Sequence, residues 1–347
     1  MQAANSQVAA RTLALVDIHS PSGGEQEIAE YVAAEMPWSP TWREGETLWY
    51  ARGAGPPRVV LAGHLDTVPA NSNFPGSRSE GVVHGLGASD MKGGVAVMME
   101  LAAALARGTG GGSVGFLFFP REEIAVEHSP LPAFFATGAL DGAGLVVVLE
   151  PTDNEIQLGC VGNVNARLRF EGRSAHTARP WLGVNAIDLA VAGLARVAGL
   201  APHDVEVGGL PFREVLSLTR IAGGRADNVV PDLVEAGLNF RYAPHRSRTD
   251  AEARLLELAG EEVEIVSHSP AASVAVDNPL VHRLREIGGF ALTPKQAWTP
   301  VAQFAELGLD AVNFGPGATR FAHAQDEQVE VAALERSLDA LRVLLTA

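Results

Sequence analysis

The sequence predicts an α/β protein: a helix-covered, mostly parallel sheet, split along the chain by an inserted β-α-β-β-α-β unit of ferredoxin-like type. Three observations predict it. The first half alternates short, continuous apolar runs with amphipathic segments of helical length, the pattern of strands buried on both faces between helices. The middle changes to alternating apolar and polar residues, the period of half-exposed strands. The last part returns to the first pattern.

In chain order, residues 6–18 and 24–36 have helical spacing, and 58–62 (RVVLA) is a β-branched run that reads as a buried strand. Residues 91–106 are helical, and 114–119 and 145–149 are again short apolar strands. The run 108–112 (GTGGG) reads as a turn. Residues 164–171 alternate, 184–198 are helical, 215–221 and 234–242 alternate, 249–259 are helical and 262–267 alternate. That order is the ferredoxin-like signature. Residues 280–287 and 300–307 look helical, 311–314 form a strand, and 329–345 form a closing helix. The predicted division is therefore one domain built from 1–163 and 271–347, with 164–270 inserted.

Composition narrows the function. The 347 residues suffice for about two domains at ~150 residues each. With 47% hydrophobic residues the chain can bury sizeable cores. A formal charge of −15 argues against nucleic-acid binding and against docking on anionic membranes. The single cysteine, Cys160, excludes a disulfide framework and a cysteine-based zinc cluster, so any metal is held by His, Asp and Glu. Residues 1–11 lack a basic patch followed by an apolar core, and the apolar stretch 95–106 is interrupted by Glu100 and too short to span a bilayer. A cytoplasmic protein is expected.

Ligands of open α/β sheets bind beyond the carboxyl ends of the strands. Here the first strand is followed by His64-Leu65-Asp66, the second by Arg121-Glu122-Glu123, the third by Glu150, and the last by Gly315-Pro316-Gly317 and then His323. Four successive strands thus deliver a metal-competent side chain to one edge. In an extended chain His64 and Asp66 point to the same side, so the carboxylate can orient the imidazole toward a metal. Ser89 or Asp90 caps the helix that opens at Met91, or Asp90 bridges two cations. Glu122 and Glu123 form a solvated loop or repel each other across an intervening cation. Taken singly, His323 reads as a structural histidine and His176 as a loop histidine. No P-loop, HExxH or GxSxG pattern is present, and the glycines at 85 and 87 lack the third glycine of a dinucleotide loop.

Together the segments GHLDTVP (63–69), GLGASDMKGGVAVM (85–98), REEI (121–124), LEP (149–151), GRSAHTARP (172–180), ADNVVP (226–231), NFRY (239–242) and FGPG…AHAQDE (314–327) resemble the di-zinc aminoacylase-type metallopeptidases, the family of acetylornithine deacetylase and succinyl-diaminopimelate desuccinylase. The resemblance spans nearly the whole chain. It implies a split zinc-dependent catalytic domain and a ferredoxin-like lid that dimerises. It implies His64, Asp90, Glu123, Glu150 and His323 as ligands of two Zn²⁺, with Asp90 bridging, His64 and Glu150 on one metal, and Glu123 and His323 on the other. Co²⁺ or Mn²⁺ can substitute. Three carboxylate ligands and a bridging hydroxide balance the charge of two zinc ions. Glu122 is implied as general base, Asp66 as the orienter of His64, and His176 as a lid histidine that stabilises the oxyanion across the dimer. Asn228 and Arg241 match substrate-contacting lid positions. Arg179 joins Arg241 as a candidate carboxylate grip, since an acidic chain must hold an anionic substrate with local arginines.

AGG with NVVP (222–231), WTPVAQFA (298–305) and NFGPG (313–317) resemble the desuccinylases most. The implied reaction is hydrolysis of N-succinyl-L,L-diaminopimelate to succinate and L,L-diaminopimelate, a step of lysine and diaminopimelate biosynthesis. GCVG at 159–162 and TPVAQF at 299–304 stand where many desuccinylases carry basic residues and TSDGRF. Acetylornithine deacetylase, or another N-acyl amino acid deacylase or carboxypeptidase, is therefore the alternative. An inactive binding protein of the same shape is the alternative from a different class. It predicts a lost ligand or base, and none is lost.

Overall fold

The computed structural model describes residues 6–108, 112–260 and 263–346. The first five residues of the 1–11 segment, 109–111 of the GTGGG turn, and residue 262 of the strand predicted at 262–267 lie outside the described residues. Two compact units divide the chain: Met1–Leu158 with Ala275–Thr293 and Gln303–Ala347, and Gly159–Val274 with Pro294–Ala302.

The first unit is built on an eight-stranded sheet. Its order is Trp42–Glu44, Thr47–Arg52, Val114–Phe119, Val59–His64, Val146–Val148, Ala311–Asn313, Ile156–Leu158 and Leu292–Pro294. The four central strands are parallel. Trp42–Glu44 on Thr47–Arg52, Thr47–Arg52 on Val114–Phe119, and Ile156–Leu158 on Ala311–Asn313 are antiparallel. Val59–His64 and Val114–Phe119 are buried along their whole length, which is why they read as unbroken apolar runs rather than alternating ones. From Val59–His64 the chain moves to the neighbour on one side and then returns to Val146–Val148 on the other. That reversal opens a crevice at the carboxyl ends of these strands. The register pairs His64 with Phe119, so the ends of both strands lie level.

The helix Gly93–Arg107 is buried on most of its faces, and the closing helix Val331–Thr346 buries Leu334, Leu341 and Leu344 at helical spacing. Val329, expected at the start of that helix, instead belongs to a strand, Gln328–Glu330, paired with Val82–His84.

The second unit is an antiparallel sheet in the order His203–Val207, Leu210–Gly223, Leu233–Tyr242, Gly162–Glu171, Glu264–Ser269. Leaving out the added edge strand His203–Val207, this is the ferredoxin-like arrangement. Leu233–Tyr242 buries every second residue from Val234 to Tyr242. Helices Ala186–Ala198 and Arg248–Ala259 cover that face, with Ala190, Leu194 and Leu255 in the core. The opposite face carries a polar chain: Asn239 Nδ2 donates to Asn163 Oδ1 at 2.6 Å and to Asn165 Oδ1 at 2.7 Å, and Arg241 Nε donates to Asn239 Oδ1 at 3.0 Å.

No helix among the described residues is long and apolar enough to cross a membrane.

Candidate metal centre

The ends of the parallel strands bring six sequence-predicted residues together. Potential ligand atoms of His64, Asp90 and Glu150 lie within 4.8 Å of one another, and so do those of Asp90, Glu123 and His323. A third group of the same tightness joins His64 with Glu122 and Glu123. Asp90 is common to the first two groups: its Oδ1 lies 3.2 Å from His64 Nε2, and its Oδ2 lies 3.6 Å from His323 Nε2. His64 Nε2 is 3.9 Å from Glu150 Oε1, and His323 Nε2 is 3.0 Å from Glu123 Oε1.

Four carboxylates converge here with only two imidazoles. Burial, then the negative charge of Glu150, push the Glu122 carboxyl well above its usual range. His323, held by Glu123, is pushed up to about 9. His64 also rises well above its usual value: burial opposes this, but its contacts with Asp66 and Asp90 win. Carboxylates crowded in this way favour positive charge between them. The mixed N/O donor set, three candidate ligands to each group and a shared aspartate, fits a pair of divalent ions.

Each ligand is held by its backbone. His64 ends its strand, and its Nδ1 lies 3.0 Å from the main-chain oxygen of Asp66 and 3.5 Å from Asp66 Oδ1. The Asp66 carboxylate, fully buried, accepts from Ser22 Oγ (2.7 Å), Glu122 N (2.9 Å) and Glu123 N (3.0 Å). Burial works against its ionisation, but the imidazole and these donors hold its pKa at about 2. The side chain therefore fixes the Glu122–Glu123 turn as well as neighbouring His64. Buried Glu25 extends the clamp, its Oε1 accepting from Arg121 N at 3.1 Å and Gly23 N at 2.9 Å.

Asp90 does not cap a helix. It lies in a turn with φ −121° and ψ 92°, and the following helix begins at Gly93. Glu327 holds that turn. Its Oε2 accepts from Gly87 N (2.9 Å), and its Oε1 from Ser89 N (3.1 Å) and Asp90 N (3.0 Å). Burial raises the Glu327 carboxyl to about 7 against the pull of these donors. The glycines at 315 and 317 have a steric reason: a Cβ at Gly317 would strike the Ser89 backbone, and one at Gly315 the carbonyls of Leu149 and Glu150.

Sequence reasoning missed Glu25 and Glu327 as parts of this construction. The contacts that tie them to the centre are to main-chain N–H groups about a hundred residues away for Glu25 and more than two hundred for Glu327, and no local pattern marks such a contact.

The other predicted residues lie in the second unit. His176 and Arg179 are exposed, on a segment whose backbone pairs with 226–230: Thr177 N donates to Asn228 O at 3.1 Å, and Val230 N to Ala175 O at 2.8 Å. Asn228 is thereby brought beside His176. Arg241 is half-buried and lines a cavity of about 420 Å³ with Asp204, Arg213, Val215 and Gln296. Arg213 is paired with Asp204 through two bonds of 2.6 and 2.9 Å. Among the described residues, the only side chain hydrogen-bonded to Arg241 is Asn239.

The model of peptidase family M20/M25/M40 matches residues 60–347. The chain belongs to the M20 family. A Mycobacterium tuberculosis protein provisionally named as the succinyl-diaminopimelate desuccinylase DapE is 37% identical over 346 residues, covering 95% of this chain and 96% of that protein. The succinyl-diaminopimelate desuccinylase of Corynebacterium glutamicum is 34% identical, covering 92% and 91%. Among solved structures, an M20 family metallo-carboxypeptidase from Sulfolobus solfataricus superposes with a TM-score of 0.75 at 17% identity, covering 98% of this chain and 99% of that one. This M20 protein is accordingly a hydrolase of the desuccinylase and deacylase kind, from a metal-dependent family, with a candidate metal-binding group at His64, Asp90 and Glu150.

Proposed function

We propose that this M20 hydrolase is a di-zinc amidohydrolase that cleaves N-succinyl-L,L-diaminopimelate to succinate and L,L-diaminopimelate, acting as a cytoplasmic homodimer. The observation that carries the reading is the pair of ligand groups sharing Asp90, with Glu122 beside them. His64 and Glu150 would hold one zinc, Glu123 and His323 the other, and Asp90 both. Bound zinc supplies Lewis acidity toward the amide carbonyl and toward the attacking water. Glu122 takes the water's proton and passes it to the leaving amine nitrogen. Its place suits that work, because its carboxylate is grouped with His64 and Glu123 at the edge of both ligand groups without belonging to either. Asp66 keeps His64 and the Glu122 turn in place. His176 donates to the oxyanion from the lid of the partner subunit.

Arg241 supports a carboxylate-rich substrate. It is half-buried, aligned by Asn239, and among the described residues it makes no ion pair. Arg179 and Asn228 complete the proposed lid contacts. Charged hydrogen bonds contribute about 1.5–3 kcal/mol, so Arg241→Ala is expected to raise KM by roughly 10–100-fold at the 1.4 kcal/mol per tenfold exchange. An unchanged KM removes Arg241 from the substrate site.

The dimer reading has its own surface. On its outer edge the strand Leu210–Gly223 pairs with His203–Val207 along 210–214, and among the described residues no strand pairs with 215–223 on that edge. Trp181, Leu182, Val191 and Ile221 are all more than half exposed in the same unit. An open edge, and exposed apolar side chains in the same unit, are features that pairing with a second copy would cover. Sedimentation is expected to give a dimer, and Ile221→Glu with Trp181→Glu a monomer. A monomeric wild-type chain defeats the reading.

The deciding experiment is hydrolysis of a panel: N-succinyl-L,L-diaminopimelate, N-acetylornithine and other N-acyl amino acids, with zinc added. A preference for the succinyl substrate is the expected result. Preference for N-acetylornithine selects the deacetylase, and no hydrolysis with no zinc uptake selects the inactive binding protein.

A further inference from the structure

We propose that Glu327 is a positioning residue of the metal centre, a buried clamp that sets the spacing between the Asp90 turn and the His323 segment and thereby the affinity for metal. The proposal rests on the reading of Asp90 and His323 as ligands. Glu327 is 2% exposed, and no lysine, arginine or histidine among the described residues makes an ion pair with it. Buried Lys92 acts on it electrostatically but donates to Ile18 O, at 2.7 Å, so a carboxylate buried here is costly unless donors surround it. Here the donors are the main-chain N–H groups of Gly87, Ser89 and Asp90.

Those three groups need an acceptor as much as Glu327 needs donors. The turn is not helical at Asp90 or Met91. Unmade bonds in a buried segment cost free energy, so the turn's place is set by where the carboxylate stands. Nearby bonds tie the same two segments: Gly85 N donates to Glu327 O at 2.9 Å, Ser89 Oγ to Gln328 O at 2.7 Å, and Ala318 N to Ser89 Oγ at 3.1 Å. His323 stands four residues before Glu327, and Glu327 N itself donates to Ala324 O at 3.3 Å. A displacement of the carboxylate therefore moves Asp90 against His323, the two ligands 3.6 Å apart. Among the described residues, the hydrogen bonds of the Glu327 carboxylate are to main-chain N–H groups. It acts through the backbone, as outer residues that orient metal ligands do, where mutation typically costs 10–100-fold in affinity.

Reach and charge can be separated. Glu327→Asp keeps the charge but withdraws the carboxylate by one methylene. Glu327→Gln keeps the reach and one oxygen, which can still accept from Ser89 and Asp90. Zinc affinity is measured by chelator competition on the full chain, with amide hydrogen exchange at 87–90 on the metal-free protein as a second readout. Glu327→Asp is expected to weaken zinc binding by about 10–100-fold and to speed exchange at 87–90. Glu327→Gln is expected to stay closer to wild type on both. Wild-type zinc affinity and exchange in Glu327→Asp overturn the proposal. A larger loss in Glu327→Gln than in Glu327→Asp also overturns it, because charge and not reach would then matter. A wild-type chain that binds no zinc defeats the metal-centre reading instead, and unchanged exchange at 87–90 in Glu327→Asp then defeats the clamp as well.

Discussion

Glu122→Gln is expected to lower kcat by about 10²–10⁴-fold, the usual worth of a positioned general acid–base, while the protein keeps its zinc. The glutamine has the same shape and can still occupy the space among Glu150, Glu123 and His64, but it cannot accept a proton. Glu122 belongs to neither ligand group that shares Asp90, so metal content measured by atomic emission should match the wild type. Its main-chain N–H remains bonded to Asp66 Oδ1, so the turn carrying Glu123 is retained. KM should change little, because the base acts in the transition state and not in ground-state binding. A variant with wild-type kcat would take Glu122 out of the mechanism, and one that loses zinc would make it a ligand.

Asp90→Ala is the second change with a large expected effect. Asp90 approaches both imidazoles, at 3.2 Å from His64 and 3.6 Å from His323. Its removal deprives each proposed site of one of three protein ligands at once. Zinc stoichiometry is expected to fall well below two per chain. Turnover should drop by about 10³-fold or more, since metal Lewis acidity supplies several kcal/mol at 1.36 kcal/mol per tenfold. The alanine also leaves Glu123, Glu150 and Glu122 facing one another with less cation between them, so the metal-depleted variant should be less stable than the zinc-loaded wild type. Two zinc ions retained per chain in Asp90→Ala would show that the sites do not share a bridge.

The strands that carry the centre were legible because burial on both faces leaves an unmistakable apolar run. Val59–His64 and Val114–Phe119 are of this kind, and the polar residues that follow them announce the edge. The antiparallel flank was not legible. Thr47–Arg52 is buried at its first four positions without alternation, and Ile156–Leu158 and Leu292–Pro294 have three residues each, too few for any period. His203–Val207 reads HDVEV and is held by backbone pairing to Leu210–Gly223, with no buried apolar face of its own. In the centre, residues that offer side chains to one another could be proposed from their type and order. Glu25 and Glu327 could not, because what they recognise is the peptide group, which every sequence has everywhere. The capping alternative for Asp90 failed for a related reason: three remote N–H bonds to Glu327 hold the segment out of the helix it adjoins.

The clamp on the Arg121–Glu123 turn separates two things that mutation usually entangles. Glu25 and Asp66 grip consecutive main-chain N–H groups, so the ligand turn is anchored without using the side chain at 121. That side chain faces elsewhere, lining a cavity of about 340 Å³ with Trp42, Glu46 and His128. What position 121 demands is an N–H and tolerance of a φ of 62°, which excludes proline and disfavours β-branched residues. Within those bounds the wall of that cavity can be rewritten in size and charge while the ligands stay where they are. Variation in side-chain size and charge can thus accumulate at this point without a toll on how the metal ligands are held.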